Sequence, residues 1–280
     1  MTVSFLPEVI FMLSIAIIWT IIAVAQDFRK REVANWWNFS LIIFILAFRL
    51  FLSIEKGNYW WFLWGLIGFA GGFILANLFY YVRMFAGGDA KLLMALGTAI
   101  PLSLEWKTNS LILLIFLAAV LICGSIYGLV YSVILSIKHR KRFLQKFKPL
   151  LKEYKFSVLS AIILAVLMLV FSILFSSLLI AYLGCLLFIS PWLLLFAKTI
   201  EESCLTVYVK TSELTIGDWL AEPLNIGGHN INPYWQGLSE NELKYIQKKI
   251  KRKVLVKYGL EFTPAFLFAL ILTISVLSFK

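Results

Sequence analysis

Charge is what this sequence has little of. Only 15% of its 280 residues are charged, where roughly 25% is usual for soluble domains. Hydrophobic residues make up 61% of the chain, and the mean hydropathy is +0.88. These values exclude a soluble enzyme with a single core, and they also exclude a disordered chain. Apolar runs long enough to cross a bilayer recur along most of the sequence, which predicts an all-α polytopic membrane protein.

Residues that bind metals or form disulfides are also scarce. The three cysteines, Cys123, Cys185 and Cys204, form no CxxC pair, and with only two histidines they offer no zinc site. No disulfide framework and no cofactor are predicted. The N-terminal segment lacks the basic region and the cleavage box of a secretory signal, so we expect its apolar run to be retained.

The net charge of +11 is a feature shared with nucleic-acid-binding proteins. The lysines and arginines, however, lie between the apolar runs, which is typical of segments that face an anionic membrane surface. We therefore expect membrane lipid as a partner and no nucleic acid. The expected location is the cell (cytoplasmic) membrane, in which the chain is a multi-pass protein.

The apolar runs define the candidate membrane spans. They cover residues 7–25, 36–54, 59–82, 90–104, 111–137, 156–197 and 264–279. A single helix over the uncharged run 156–197 would measure roughly 63 Å, about twice the thickness of the hydrocarbon core. We therefore divide this run near Ser176–Ser177 or Gly184. The division gives about eight transmembrane helices, with six or seven as open alternatives.

The basic residues predict how these spans are oriented. With eight spans and the N-terminus outside, the inside segments are 26–36, 83–91, 138–155 and 198–263. They contain 22 of the 26 lysines and arginines. The other four are Arg49, Lys56, Lys107 and Lys280. This asymmetry follows the positive-inside rule, so both termini are predicted outside.

The polar segment 198–263 is the only candidate soluble domain, and it is too small for a substantial core of its own. Residues 205–209 are predicted to form a strand, and residues 225–233 a loop rich in glycine and asparagine. Ser239 and Glu242 form a capping box that opens a helix. The apolar stripe of this helix is predicted to contain Leu243, Ile246, Ile250 and Val254. Two interpretations stay open: the helix lies on the membrane or on its own domain, or it docks a substrate.

Two aspartates at the edges of apolar runs call for an explanation. Asp27 ends the first span and Asp89 opens the fourth, so both lie at the inside boundary in the predicted topology. Taken singly, Asp27 is explained as a solvated carboxylate beside Arg29 and Arg31, and Asp89 as a helix cap. Two carboxylates that lie close together cannot easily both ionise. Sharing one proton gives a single site both a base and an acid, as in aspartic proteases.

The residues around Asp89 fit such a site. The ionised carboxylate would take a proton from a water that attacks a peptide carbonyl, while its protonated partner hydrogen-bonds the developing oxyanion. Gly87 and Gly88 lack side chains and would let a substrate strand approach closely. Lys91 is expected to extend toward the lipid headgroups, and electrostatic tuning of the two aspartates is the alternative.

These two aspartate segments resemble the type IV prepilin peptidases. Residues 86–93, AGGDAKLL, resemble the GxGD-x-K segment of that family, and residues 27–35, DFRKREVAN, resemble the stretch that contains its first aspartate. Short stretches of the polar segment are similar to the archaeal branch, the preflagellin (prearchaellin) peptidases. They are residues 216–222, 237–239 and 262–264. The similarity is close in the two aspartate segments and loose elsewhere.

The resemblance implies an intramembrane aspartic endopeptidase of the GxGD type. Such an enzyme removes short basic leader peptides from prepilin- or preflagellin-like precursors, the precursors of type IV pilus or archaellum proteins, at the cytoplasmic membrane face. It implies Asp27 and Asp89 as the catalytic pair, Gly88 as the second glycine of the motif, and leader-bearing precursors as partners.

Two positions depart from the family pattern. The first glycine of the motif is Ala86 in this chain, and the proline that follows the first aspartate is Ala34. The next residue, Asn35, is interpreted as the N-cap of the second span, with a substrate contact as the alternative.

Together, these interpretations predict five parts of the chain. They are a catalytic transmembrane core (1–137), a basic cytoplasmic loop (138–155), a transmembrane hairpin (156–197), a small cytoplasmic α+β segment (198–263) and a last transmembrane helix (264–280). A transporter or channel stays open as an alternative, although Arg49 is the only charge more than two residues from the end of an apolar run. The glycines at 65, 68, 71 and 72 are interpreted as helix-packing positions. A non-catalytic membrane assembly protein is the other alternative.

Overall fold

The computed structural model describes residues 6–278, without the side chain of His229. Its helices within that range are α1 (Pro7–Lys30), α2 (Asn35–Glu55), α3 (Trp60–Tyr81), α4 (Gly87–Ala99), α5 (Trp106–Lys138), α6 (Arg140–Glu153), α7 (Lys155–Leu174), α8 (Leu178–Ile200), α9 (Glu240–Lys249) and α10 (Thr263–Ser278). Its strands are β1 (Thr206–Lys210), β2 (Trp219–Leu220), β3 (Leu224–Ile226), β4 (His229–Ile231) and β5 (Lys253–Lys257). Residues 1–5 of the predicted core and residues 279–280 of the predicted last span lie outside the described residues.

Six of the described helices are long and apolar enough to cross a membrane. They are α1, α2, α3, α5, α7 and α8, the last continuing through Leu205. This confirms a multi-pass membrane protein. The helices α4 and α10, with 13 and 16 residues, are shorter, so the number of eight spans stays a prediction.

The chain divides into two compact units. The first contains the residues up to Leu129 together with those from Glu261 onward, and the second contains Val130–Leu260. The division falls within α5. Asp27 and Asp89 belong to the first unit, whose apolar core draws on α1, α2, α3, α4, α5 and α10. Its largest fully buried apolar side chains include Met12, Leu41, Ile45, Leu93, Phe116 and Phe266.

The fourth apolar run folds differently from the prediction. A span was predicted over 90–104, whereas α4 begins at Gly87 and ends at Ala99. Pro101 accounts for the early end, because proline lacks an N–H and disfavours a helical residue before it. Nine of the thirteen α4 residues are buried. Neighbouring helices therefore shield this short helix, as its length requires.

Arg49 holds the C-terminal end of α4. Its side chain is almost wholly buried, at 1% exposure, and it donates hydrogen bonds to four backbone carbonyls. They belong to Trp61, Thr98, Ala99 and Pro101. The last turn of a helix leaves carbonyls without partners inside the helix, and Arg49 satisfies them. Gly65 makes room for this side chain, because a Cβ atom there would overlap the Arg49 Cδ.

Glycine also allows the close approach of α3 to α4. A Cβ atom at Gly68 would overlap the carbonyl oxygen of Gly97, and one at Gly72 would lie 3.1 Å from the carbonyl oxygen of Leu93. The packing role predicted for Gly65, Gly68 and Gly72 is therefore confirmed. Gly71 has no neighbouring atom within 4 Å of a Cβ position, so the role predicted for it is wrong.

The second unit contains a helical hairpin preceded by a basic helix. Residues 138–155 were predicted as a loop, but α6 occupies most of them. Its alternation of basic and apolar residues at helical spacing places Leu150 in a buried position. The division of the run 156–197 near Ser176–Ser177 is confirmed, because α7 ends at Leu174 and α8 begins at Leu178. Gly184, the alternative position, lies inside α8.

Two small sheets form in the polar part of the second unit. β1 and β2 pair with β5 in an antiparallel sheet of order β1-β5-β2, in which Thr206 lies opposite Lys257. The strand predicted over 205–209 is thus present, shifted by one residue. The loop predicted over 225–233 is wrong in its first part, because β3 and β4 form a hairpin there.

The predicted helix after Ser239 is present but ends early. Ser239 and Glu242 form the predicted capping box at the start of α9. The helix ends at Lys249, so Ile250 is its C-cap and Val254 belongs to β5. The predicted apolar stripe is therefore wrong beyond Ile246, since Val254 pairs with Val209 of β1 instead.

Candidate active site

Asp27 lies in the last turn of α1 with its side chain inside the first unit. Only 8% of the residue is exposed, and its Oδ2 accepts a hydrogen bond from the backbone N–H of Thr263 at 3.3 Å. The helix closes at Arg31, whose left-handed backbone (φ 55°) directs its N–H to the Asp27 carbonyl oxygen at 2.7 Å. The cap therefore fixes the turn that carries Asp27.

Asp89 is the third residue of α4 and is equally buried, at 9% exposure. Its Oδ2 accepts the backbone N–H of Ala86 at 3.3 Å. A carboxylate in this position binds the donor that the start of a helix leaves free, and the helix dipole favours its negative charge. The capping role considered for Asp89 is therefore present, and it holds the carboxylate in place.

The structure brings the two aspartates together. The turn that follows Asp27 reaches the start of α4, where a Cβ atom at Gly88 would lie 3.8 Å from the backbone nitrogen of Val33. Two ionised carboxylates on backbone segments that lie this close repel each other. Both are mostly shielded from water, which strengthens that repulsion. Two buried carboxylates in such proximity favour a state with one shared proton. The arrangement can therefore supply a proton acceptor and a proton donor to one reacting group.

Gly87 and Gly88 leave space beside Asp89. A Cβ atom at Gly87 would have no neighbour within 4 Å, and one at Gly88 would lie 3.8 Å from the backbone nitrogen of Val33, an ordinary contact distance. Neither residue has a positive φ. The fold itself therefore does not require glycine at these positions, and the predicted approach of a substrate strand stays a prediction.

Lys91 and Asn35 contact each other. The Lys91 Nζ donates a hydrogen bond to the Asn35 Oδ1 at 2.6 Å, so this ammonium group is held at the start of α2. The N-cap interpretation of Asn35 is wrong, because Ala34 is the N-cap and Asn35 is the first helical residue. Its side chain accepts from Lys91 instead. The contact ties the start of α2 to the start of α4, two residues from Asp89.

Ala34, one of the two departures from the family pattern, uses its backbone N–H. That group donates a hydrogen bond to the Gln26 Oε1 at 3.0 Å. Proline at this position would have no N–H to donate. The turn between α1 and α2 is therefore closed here by a side chain next to Asp27.

Sequence reasoning missed Glu261, a third carboxylate at this site. It is 7% exposed, and its Oε1 lies 3.3 Å from the Nε of Arg31. Arg31 had been considered as a partner of Asp27. Glu261 sits just before the last apolar run, as Asp27 and Asp89 sit at the edges of theirs. Its position at the edge of an apolar run could have identified it as a candidate site residue, but the prediction assigns Glu261 to the polar segment 198–263.

No group of three or more histidine, cysteine, aspartate or glutamate side chains is arranged to hold a metal ion within residues 6–278. The described residues offer carboxylates, backbone N–H groups, the Arg31 guanidinium group and the Lys91 ammonium group at this place.

The comparison with protein families concerns the same part of the chain, and similar individual proteins are also known. The model of the type IV leader peptidase family matches residues 14–129, a segment that contains both aspartates. The preflagellin peptidase of Methanococcus maripaludis (strain C6) is 35% identical over 81 residues, which are 29% of this chain and 35% of that protein. The preflagellin peptidase of Methanococcus voltae is 30% identical over 88 residues, 31% of this chain and 37% of that protein.

A third relative gives the same result. The preflagellin peptidase of Methanocaldococcus jannaschii is 32% identical over 81 residues, 29% of this chain and 34% of that protein. The chain thus spans about a third of the length of the curated relatives it matches, and no solved structure matches it significantly. Over residues 14–129, which contain Asp27 and Asp89, the chain is therefore similar to the type IV leader peptidase family.

Proposed function

We propose that this chain is an intramembrane aspartic endopeptidase that removes leader peptides from prepilin- or preflagellin-like precursors at the cytoplasmic membrane face. The observation that carries the proposal is the buried pair of carboxylates, Asp27 and Asp89, inside the segment that matches the family. The class of substrate comes from the family and from the relatives' names.

The reaction would use one proton shared by the two carboxylates. The ionised carboxylate takes a proton from water, and the water oxygen bonds to the carbonyl carbon of the scissile peptide. The protonated carboxyl group hydrogen-bonds the carbonyl oxygen as negative charge develops on it. When the C–N bond breaks, a carboxyl proton passes to the leaving nitrogen. The products are a peptide with a carboxyl terminus and one with an amino terminus.

This mechanism makes activity depend on pH in a defined direction. Cleavage requires one carboxyl group with a proton and one without it. Activity is therefore expected to fall at high pH, where the shared proton leaves, and at low pH, where both groups are protonated. The two limbs of the profile belong to the pair and not to either residue.

The contacts in the first unit support the proposed orientation. Asp27 at the end of α1 meets Thr263 at the start of α10, so residues 27 and 263 lie at one membrane boundary in this proposal. An even number of crossings must separate them. Six crossings, by α2, α3, α4, α5, α7 and α8, satisfy that condition and agree with the distribution of basic residues.

Single cysteines in a cysteine-free background test the orientation. Gln145→Cys and Gln236→Cys should react with a membrane-impermeant reagent only after the cells are opened, whereas Lys107→Cys should react in intact cells. All three side chains are exposed, so accessibility within the protein does not limit the reaction. Labelling of position 145 or 236 in intact cells would separate that segment from the face of the two aspartates.

The three aspartates of the chain provide a matched test of the activity. The third, Asp218, lies in the second unit, where its Oδ2 accepts the backbone N–H of Thr215 at 2.7 Å. Asn keeps the shape of Asp but cannot exchange a proton in the same way. Asp27→Asn and Asp89→Asn should each lower cleavage of a leader-bearing precursor by at least about 10³-fold, while Asp218→Asn should stay within about threefold of wild type.

The assay uses purified full-length protein and one precursor at equal enzyme levels. Because the two carboxylates act on one water, the double variant should be no worse than either single variant. Membrane accumulation of each variant serves as the control for folding. Near wild-type cleavage by Asp27→Asn would mean that Asp27 is only a charge at a helix end, and the aspartic mechanism would be wrong.

A further inference from the structure

A short segment at the start of α10 touches both parts of the candidate active site. It consists of residues 261–266, and it lies more than 170 residues after Asp89 and outside the segment 14–129 that matches the family. It nevertheless belongs to the first unit. Three contacts connect this segment, which we call the α10 entry, to Asp27, to the cap of α1 that follows Asp27, and to Phe85 just before α4.

The first contact is the hydrogen bond from Thr263 to Asp27. Thr263 is the first residue of α10 and is 1% exposed. The N–H groups in the first turn of a helix have no partner within the helix, and they lie at the positive end of its dipole. The Asp27 carboxylate takes up one of them. A bond of this kind is strongest when the carboxylate is ionised.

The second contact is the ion pair between Glu261 and Arg31. Arg31 caps α1, and its backbone N–H binds the carbonyl of Asp27 itself. Because Glu261 is buried, its charge is stabilised mainly by this partner. The pair therefore joins the α10 entry to the turn that carries Asp27, at a second point two residues from Thr263.

The third contact is a cluster of three aromatic rings. Phe85 lies 5.4 Å from the ring of Phe262 and 5.5 Å from the ring of Phe266, measured between ring centroids. Phe85 directly precedes Ala86, whose N–H binds Asp89. The Phe262 ring also fills the space above Gly124, where a Cβ atom would overlap it. The α10 entry is thus packed against the start of α4 as well.

We propose that the α10 entry is a third part of the active site, in which Thr263 and Glu261 are positioning residues for Asp27. Thr263 would hold the carboxylate through its backbone N–H, and Glu261 would anchor the entry to Arg31. The aromatic cluster would fix the position of the same segment relative to Asp89. This inference rests on the proposed function, since it assigns how one carboxylate of the proposed pair is held.

The charged groups that face Asp27 make the roles of the two residues distinguishable. They are Asp89 from α4, Glu261 ahead of α10 and Arg31 at the end of α1. Removing the Thr263 N–H would withdraw a donor that favours the ionised carboxylate. Removing the charge of Glu261 would withdraw a repulsion that disfavours it. The two changes should therefore displace the pH–activity profile in opposite directions.

Thr263→Pro tests the hydrogen bond from the backbone N–H, and Thr263→Val separates the effect of the N–H from that of the side-chain hydroxyl. Proline removes the N–H and is tolerated in the first turn of a helix, whereas valine keeps the N–H at nearly the same volume. With purified full-length protein and a leader-bearing precursor, Thr263→Pro should lower kcat by about 10- to 100-fold. Its KM should stay within about twofold of wild type, and its profile should move to higher pH. Thr263→Val removes only the hydroxyl, so it should lower kcat less than Thr263→Pro does, with a smaller move of the profile in the same direction.

Glu261→Gln completes the test and does not depend on the folding of the proline variant. It keeps the shape of the side chain, and its profile should move to lower pH. The proposal is overturned if Thr263→Pro has wild-type kcat and profile, or if Thr263→Val is impaired to the same degree. Should Thr263→Pro fail to accumulate in the membrane, an unmoved profile of Glu261→Gln overturns the proposal by itself.

The failure of this inference can be told apart from the failure of the proposed function. If the wild-type protein cleaves no precursor, or if Asp27→Asn remains active, the proposed function fails and the positioning role fails with it. If the wild type cleaves, Asp27→Asn does not, and the variants at 261 and 263 behave like wild type, only the role of the α10 entry is wrong.

Discussion

The two ends of α4 are built in opposite ways. At its C-terminal end, the buried Arg49 binds several backbone carbonyls, and the backbone of Gly97 lies against Gly68 of α3. At its N-terminal end, Asp89 accepts one hydrogen bond from Ala86, and Gly87 has open space around it. One end is fully packed and hydrogen-bonded, whereas the other end presents a carboxylate beside unoccupied volume.

This difference assigns the two ends of one short helix different tasks: the C-terminal end fixes the helix in place, and the N-terminal end carries the candidate catalytic carboxylate. A helix of 13 residues measures roughly 20 Å, so fixing its C-terminal end restricts the position of its N-terminal end. Functional groups need rigid supporting elements, but the surface that a substrate contacts must stay open. The packed end of α4 would supply the first requirement, and the glycines near Asp89 would supply the second.

Removing the Arg49 side chain should have the largest effect on stability. Arg49→Leu keeps an apolar side chain in the cavity but leaves buried carbonyls without donors, at about 1–3 kcal/mol each. We expect the free energy of unfolding to fall by at least about 3 kcal/mol, measured by denaturant titration of the purified protein in detergent micelles.

Arg49→Lys is the comparison for this change. The ammonium group of lysine is compact and cannot donate to all the carbonyls that the planar guanidinium group reaches. Its stability should therefore lie between those of wild type and Arg49→Leu. If Arg49→Leu is as stable as wild type, the packed end of α4 does not depend on Arg49, and the contrast between the two ends is overstated.

The glycines of α3 provide a second test with an internal control. Gly68→Ala places a methyl group against the backbone of Gly97, which cannot move away as a flexible side chain would. We expect a loss of about 1–3 kcal/mol in unfolding free energy. Gly71 lies three residues further along the same helix, and a methyl group there meets open space. Gly71→Ala should therefore raise the free energy of unfolding, by no more than about 1 kcal/mol.

The same measurements also decide whether stability is lost because a side chain contacts the α4 backbone or because any glycine of α3 is replaced. Equal losses for Gly68→Ala and Gly71→Ala would contradict the close approach of α3 to α4, because only one of the two positions faces α4. Cleavage activity should fall with Gly68→Ala in proportion to the folded fraction, since this position is remote from Asp89 along α4.

Much of the helical architecture was predictable because hydropathy records it locally. The bounds of α1, α2 and α3 lie close to the apolar runs, and the break between α7 and α8 falls at Ser176–Ser177. The predicted bounds are wrong where something other than hydropathy determines where a helix begins or ends. Pro101 ends α4 before its apolar run does, and α6 is helical although its sequence is basic.

In the polar segment, the missed hairpin had a signal that was available. Gly227 and Gly228 both have positive φ, as a tight hairpin turn requires, and alternating apolar residues flank them. The end of α9 had no such local signal. Val254 joins β5 because β1, more than forty residues earlier, offers it a partner strand.

The candidate site divides in the same way. Asp27 and Asp89 could be singled out in the sequence because a carboxylate at the edge of an apolar run is rare and has few explanations. Their catalytic role stays a prediction. The role proposed for Thr263 was not predictable, because every residue except proline has a backbone N–H and the residue type does not show which one binds a carboxylate. Asn35 was assigned to a helix cap on local grounds, whereas its partner is Lys91, 56 residues away.

The open end of α4 yields a smaller and more specific effect. Gly87→Ala should leave the free energy of unfolding within about 0.5 kcal/mol of wild type, because nothing lies within 4 Å of the new methyl group. If a substrate strand passes close to Asp89, the methyl group obstructs it, and kcat/KM should fall by about tenfold. Denaturant titration and precursor cleavage, performed on the same preparation, separate the two quantities. Unchanged cleavage would show that the space beside Asp89 is not used by the substrate.

The smallest effect is expected for Lys91→Ala, at the same open end. The change removes the hydrogen bond to the Asn35 Oδ1. Because this bond lies at the exposed edge of the unit, its loss should lower stability by less than about 1 kcal/mol. The start of α4 would then be held less firmly beside α2, and kcat should fall by only about two- to fivefold, since the Ala86 bond and the aromatic cluster still hold Asp89.

Lys91→Ala and Asn35→Ala break the same hydrogen bond from opposite sides, which provides the control. If the bond acts only by holding the two helix starts together, both variants should show the same mild loss of kcat, and the double variant should be no worse. Cleavage rates at equal enzyme levels test this equality. A much larger loss for Lys91→Ala, approaching that of Asp89→Asn, would mean that the ammonium charge itself acts on the reacting carboxylates. The open end of α4 would then contribute a charge to the chemistry as well as space for the substrate.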